Sequence, residues 1–190
     1  MLLSFLTLFG CAVEVLQVPI ARQDTSPIYR QDRPLYVGSL DVLAFRDPIL
    51  IRAWKLSLAS VIKSKRIFRD VQLLPGKKSE MNGDFYIIDV TVKPEFKTRF
   101  NWIATFPAVF PFTGYWPVQI KKGSYSVRLA FTIKDKSDKM IFSKSIIFHE
   151  SEKVHLYGFY RTSRFEDMIE RTNLEVMESC ASSIESFFIH

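Results

Sequence analysis

Apolar positions recur with a period of two in some stretches of the chain and at helical spacing in others, and their order predicts the fold. Leu35 to Val42 alternates as a first strand. Asp47-Pro48 then supplies an N-cap followed by proline at the first helical position. Leu50, Trp54, Leu58 and Val61 share one helical face with Ile51 and Ile62 beside them, which predicts a helix from Pro48 to about Phe68. Its other sides carry Arg52, Lys55, Lys63 and Lys65. Arg69 to Pro75 adds a short extended piece, and Gly76 to Gly83 reads as a polar turn.

From Asp84 to Phe100 a second strand sets Tyr86, Ile88, Val90 and Val92 against Phe85, Ile87, Asp89, Thr91 and Lys93, so one of its faces turns polar. Gly123 to Lys134 alternates most cleanly, with Tyr125, Val127, Leu129, Phe131 and Ile133 on one side. Asp135 to Asp138 makes a turn, and Met140 to Glu150 returns antiparallel. Ser163 and Glu166 form a capping box for a closing helix, Arg164 to Phe188. Phe165, Ile169, Val176, Cys180, Ile184 and Phe187 line its apolar stripe, while Glu166, Asp167, Glu170, Glu175 and Glu178 make its outer face acidic. The expected fold is α+β: a four-stranded, mainly antiparallel sheet with two amphipathic helices on one face. It forms one domain over residues 34–190.

Between the second strand and the hairpin lies Asn101 to Ile120, an insertion without a charged residue. Its length would suit a membrane span, but Pro107, Pro111 and Pro117, with Gly114 among them, break any continuous helix. Two readings stay open: a loop folded over its own core, or an apolar surface for a partner, a membrane or a greasy ligand. On the second reading Phe110, Phe112, Tyr115 and Trp116 make the contact, while Trp102 and Phe106 belong to the core. His155 to Arg164 is a second aromatic loop, mixed with basic residues.

Composition narrows the class. A chain of 190 residues, 47% hydrophobic and 24% charged, is ordered and long enough for one substantial core. The net charge of +6 favours anionic surfaces in general. The basic residues look scattered, with short clusters at Lys63-Lys65-Arg66, Lys77-Lys78 and Lys121-Lys122, and no nucleic-acid motif surrounds them. They read as a solvated face.

Met1 to Phe9 is a short apolar run that leads into Gly10-Cys11. Leu8-Phe9-Gly10-Cys11 resembles the bacterial lipobox, in which a small residue precedes a cysteine that is acylated and becomes the mature N-terminus. Phe9 is larger than the residue favoured there, and no basic residue precedes the run. The alternative is an apolar strand that contains Gly-Cys. The resemblance implies that residues 1–10 are a signal-peptide remnant, that Cys11 carries lipid such as palmitate, and that residues 11–33 tether the domain. Ala12 after the cysteine implies the outer membrane, facing the periplasm. Cys180 is then a small buried residue, with a Cys11–Cys180 disulfide as the competing arrangement.

The element order over residues 35–188 resembles the periplasmic auxiliary lipoproteins of ABC-type lipid transporters and the amino-terminal domain of the Tol-system propeller protein. The aromatic stretch resembles those of other bacterial lipoproteins. Catalytic chemistry is not evident. His149, His155 and His190 lack the close spacing of metal ligands, and no phosphate loop, nucleophile elbow or CxxC occurs. The expectation is a non-enzymatic, lipid-anchored accessory subunit that needs no cofactor or metal, held at the membrane by its anchor and bound to an envelope protein, with no nucleic-acid partner. The alternative is a carrier or sensor whose aromatic segment walls a pocket for a hydrophobic ligand.

Overall fold

The computed structural model describes residues 31–44, 46–76, 81, 83–100, 119–156 and 163–189. Cys11, the tether up to residue 30, and Phe110, Phe112, Tyr115 and Trp116 lie outside the described residues, as do Trp102 and Phe106. The elements are β1 (Leu35–Val42), α1 (Pro48–Ser64), β2 (Val71–Leu73), β3 (Tyr86–Phe100), β4 (Gln119–Asp135), β5 (Met140–Leu156) and α2 (Ser163–Ile189). The strands form one five-stranded sheet in the order β2-β1-β3-β4-β5.

The expected four-stranded, mainly antiparallel sheet is therefore corrected to five strands with mixed direction. β1 is parallel to both β2 and β3, while β3, β4 and β5 are antiparallel neighbours. The crossover helix is the cause. A chain that leaves β1 through α1 re-enters the sheet from the starting end, so β2 runs parallel to β1. The short piece after α1 is thus a real edge strand, and residues read as the end of the tether extend it. Gln31 forms a parallel bridge to Phe68, donating to the Ile67 carbonyl at 2.8 Å and accepting from the Arg69 amide at 2.8 Å.

Helix α1 starts where expected, with the Asp47 carboxylate accepting from the Ile49 amide at 2.9 Å and Pro48 in the first turn. It stops at Ser64 rather than near Phe68. Arg66 adopts the left-handed conformation at φ 52°, which ends the helix without the glycine that usually marks such a stop. Ile67 and Phe68 continue the helical spacing but bury themselves from extended backbone instead. The β4–β5 hairpin is longer than the alternation suggests, pairing from Lys134↔Met140 out to Gln119↔Leu156. Each arm spans about 50 Å at roughly 3.3 Å per residue. At its turn the Asp135 carboxylate accepts from the amides of Ser137 and Lys139, and Asp138 takes φ 63°.

Both helices cover one face. Trp54, Leu58, Val61 and Ile62 of α1 and Phe165, Met168, Ile169, Val176, Met177, Cys180 and Ile184 of α2 form one core with β1, β3 and β4. Phe187 departs from its expected place on the buried stripe. It is exposed and stacks on Phe142, with ring centroids 4.6 Å apart. Cys180 is buried with a free thiol, as a core residue, and burial pushes its pKa up. Polar bonds fix the register of α2 on the strands. Tyr125 donates to Asn173 at 2.7 Å within the core. Glu150 accepts from Thr172 at 2.8 Å and from Arg171.

The first turn of α2 seats on Gly123. A β-carbon there would lie 2.5 Å from the Phe165 ring, which is itself held edge-on against Phe96. Gly123→Ala should therefore overpack this contact and cost about 1–3 kcal/mol. Urea unfolding checks it. An unchanged midpoint would mean that Phe165 is not pressed against the strand.

Candidate functional site

Alternation along β3, β4 and β5 sends Val90, Leu129 and Ile146 toward the helices and leaves their neighbours on the opposite face of the sheet. Cross-strand rows on that face follow from the register. Thr91, Ala130 and Ser145 form one row, followed by Lys93, Arg128 and Ile147, and then Glu95, Ser126 and His149. Beyond them come Lys97, Ser124 and Ser151, and finally Arg99, Lys122 and Lys153. At the opposite end the same face carries a small apolar cluster, where Tyr36 meets the buried Phe85 ring edge-on at 5.6 Å and Ile87 lies alongside. The short side chains of the Thr91-Ala130-Ser145 row make a shallow shelf, bordered by the longer Lys93, Arg128 and Ile147, between an apolar end and a basic end. No described helix lies over it.

A carboxylate ties the shelf to β1. Gly38 and Ser39 form a bulge opposite Asp89, marked by the register shift between Val37 and Leu40. A β-carbon on Gly38 would come within 2.7 Å of Asp89 Oδ1, so only glycine lets the two strands close here. Oδ1 accepts from the Ser39 amide at 2.9 Å and its hydroxyl at 2.8 Å, while Oδ2 accepts from Lys134 Nζ at 2.7 Å. Partial burial alone would raise the pKa of Asp89. The Lys134 and Ser39 hydrogen bonds and the Lys134 charge outweigh it and hold the carboxyl below the ordinary aspartate value. Three strands are thereby joined across the open face by one side chain.

The basic end has a different character. Lys97, Arg99, Lys122, Ser124, His149 and Ser151 line a depression of about 260 Å³. Glu95 pairs with Lys97 at 2.9 Å. No described carboxylate forms an ion pair with Arg99, Lys122 or Lys153. On the helix side of the same strand β5, the acids are satisfied by α2: Glu150 meets Arg171, and Glu152 lies 3.9 Å from Arg164. Arg171 and Thr172 hold the Glu150 carboxyl below its ordinary pKa against the opposing effect of burial. At this end the strand therefore places its acids on the covered side and Lys153 on the open one, while Lys144, farther along, reaches Ser183 of α2 on the covered side at 2.9 Å. The arrangement can bind an anion by charge and hydrogen bonds. Among the described residues no group of three or more His, Cys, Asp or Glu stands ready for a metal.

Of the residues singled out in the sequence, His149 lies in this depression, Cys180 lies in the core, and the lipidation and aromatic contact residues are outside the described ones. The reading of the basic residues as merely scattered is corrected: Lys97, Arg99, Lys122 and Lys153 come from three strands and meet at one end. Alternation in β3 puts Lys97 and Arg99 on the same side as Lys93, a signal the sequence carries but which the expected alternation followed only as far as Lys93. Only the hairpin register could add Lys122 and Lys153.

A family model matches residues 1–185 of the chain. No curated protein matches it. Among solved structures, the chain is similar to a homolog of the neuraminyllactose-binding hemagglutinin from Helicobacter pylori, at 13% identity and a TM-score of 0.48, over 93% of this chain and 97% of that one. A rare lipoprotein B from Shewanella oneidensis aligns at 9% identity and a TM-score of 0.40, over 80% and 96%. A DUF330 protein from Xanthomonas campestris aligns at 9% identity and a TM-score of 0.44, over 88% and 96%.

The Asp89 linkage has a definite pH signature. Its folded pKa lies below the unfolded one, so its contribution is complete above the unfolded value of about 3.9 and fades as pH falls through the folded value. Asp89→Asn should lower the urea midpoint near pH 7, and the difference from wild type should shrink by about pH 3. A difference that stays constant across that range would deny the ionic link.

Proposed function

We propose that this chain, which belongs to the family matched over residues 1–185, is a non-enzymatic binding subunit of the bacterial cell envelope. It is held at the membrane through Cys11 and presents the uncovered face of its sheet to a partner. The observation that carries this reading is the division of the sheet into two unlike faces. One is filled with Val90, Leu129 and Phe131 beneath the helices, and the other carries the Thr91-Ala130-Ser145 shelf and the cations. A shelf of short side chains lets another surface approach the strands closely, and the charges at its end orient that approach. Burial of Cys180 as a free thiol supports a role for Cys11 outside disulfide pairing. The outer membrane facing the periplasm is the location that the Gly10-Cys11-Ala12 sequence favours, and an envelope transport complex is the kind of partner that suits it.

The anchor is tested directly. In a bacterial host, Cys11→Ala should move the protein from the membrane fraction to the soluble periplasm without changing its melting temperature. Mass spectrometry of the wild-type mature N-terminus should find an acylated cysteine. Retention of the variant in the membrane fraction through high-salt washing would overturn the anchoring role of Cys11.

A further inference from the structure

We propose that the row Arg99–Lys122–Lys153, with the Ser124 and Ser151 hydroxyls of the adjoining row, docks the phosphate groups of an anionic phospholipid surface. The row breaks a local rule of sheet stability. Arg99 is directly opposite Lys122, and Lys122 directly opposite Lys153, so three cations share one line across three strands. Like charges so placed repel and weaken the pairing. Among the described residues no carboxylate on this face neutralises the row. Glu95, two rows away, is taken by Lys97, and the connections at this end, 101–118 and 157–162, contain no Asp or Glu in their sequences. Glu150 and Glu152 point to the other side, where Arg171 and Arg164 engage them. A repulsive cluster kept next to its own strand's acids, yet screened from them by the sheet, is an arrangement that an external anion completes.

The donor chemistry fits phosphate. A guanidinium offers a bidentate fork, the lysines supply mobile point charges, and the two hydroxyls with His149 add hydrogen-bonding groups around a depression of about 260 Å³. Neighbouring strands lie roughly 4.8 Å apart, so the row spreads its charge over a flat front suited to several headgroups at once. The chain leaves this end at Phe100 and returns at Gln119 through residues that bear no charge and include Trp102, Tyr115 and Trp116, residue types that favour the bilayer interface. Cations at strand ends joined by a sequence of that composition match an anionic membrane better than a soluble polyanion. The inference does not rest on acylation of Cys11, and its test removes that contribution.

The full-length chain carrying Cys11→Ala is sedimented with phosphatidylcholine vesicles, with and without phosphatidylglycerol. Binding is expected only with phosphatidylglycerol, and it should weaken as salt rises. Joint replacement of Arg99, Lys122 and Lys153 by glutamine should lower the apparent affinity about a hundredfold, and Lys122→Gln alone about fivefold. Both variants remove repulsion, so their melting temperatures should hold or rise. Glutamine at the exposed Lys63, Lys136 and Lys139 removes the same charge elsewhere and should leave binding near the starting value. An equal fall in both triple variants would reduce the effect to net charge and overturn the site. Equal binding to neutral vesicles would also overturn it. So would binding to single-stranded nucleic acid or polyglutamate in place of vesicles.

Discussion

The structure depends on burying one face of a twisted sheet under two helices that also touch each other. β1, β3 and β4 supply Leu35, Val37, Ile88, Val90, Leu129 and Phe131 to that layer, all nearly inaccessible to water. Burial on this scale is the dominant stabilising term in a domain of this size. It also dictates everything on the other side. Because side chains alternate, each residue driven under the helices forces its neighbours outward, so the apolar layer and the exposed shelf are two consequences of one register.

Polar interactions refine that layer. On the covered side, Tyr125 with Asn173 and Glu150 with Arg171 and Thr172 prevent α2 from sliding along the hairpin. Gly123 admits Phe165 and places the start of the helix directly behind the basic rows. On the open side, Asp89 binds the β1 bulge to Lys134 of β4, so the shelf is braced at one end and left electrostatically uncompensated at the other. A binding surface needs a rigid base of this kind, because ordering a loose one on contact would cost affinity.

Much of the architecture was legible in residue order. Asp47-Pro48 marked the start of α1, and the alternation from Tyr125 to Ile133 marked the core strand of the hairpin. Most of the failures share a cause: they depended on contacts between residues distant in the chain. The parallel pairing of Leu35 with Val71 and Tyr86 is set by where the crossover deposits the strand. The end of α1 at Arg66 lacks a glycine or proline to announce it. The extra rows of β5 out to Leu156 follow from pairing with β4, since Glu150 and Glu152 look like the end of a strand until Arg171 and Arg164 are brought opposite them. The basic row is legible only once Arg99, Lys122 and Lys153 are placed in register.

If the uncovered face is the working surface, contact with the envelope should change that face and leave the core alone. Hydrogen–deuterium exchange on the full chain, alone and bound to its native membranes, reads this most directly. The account predicts that slowing on binding concentrates in residues 93–99, 122–128 and 147–153, with α1 and the buried turns of α2 unchanged. Slowing confined to the helices, with those three segments exchanging as in the isolated protein, would contradict it.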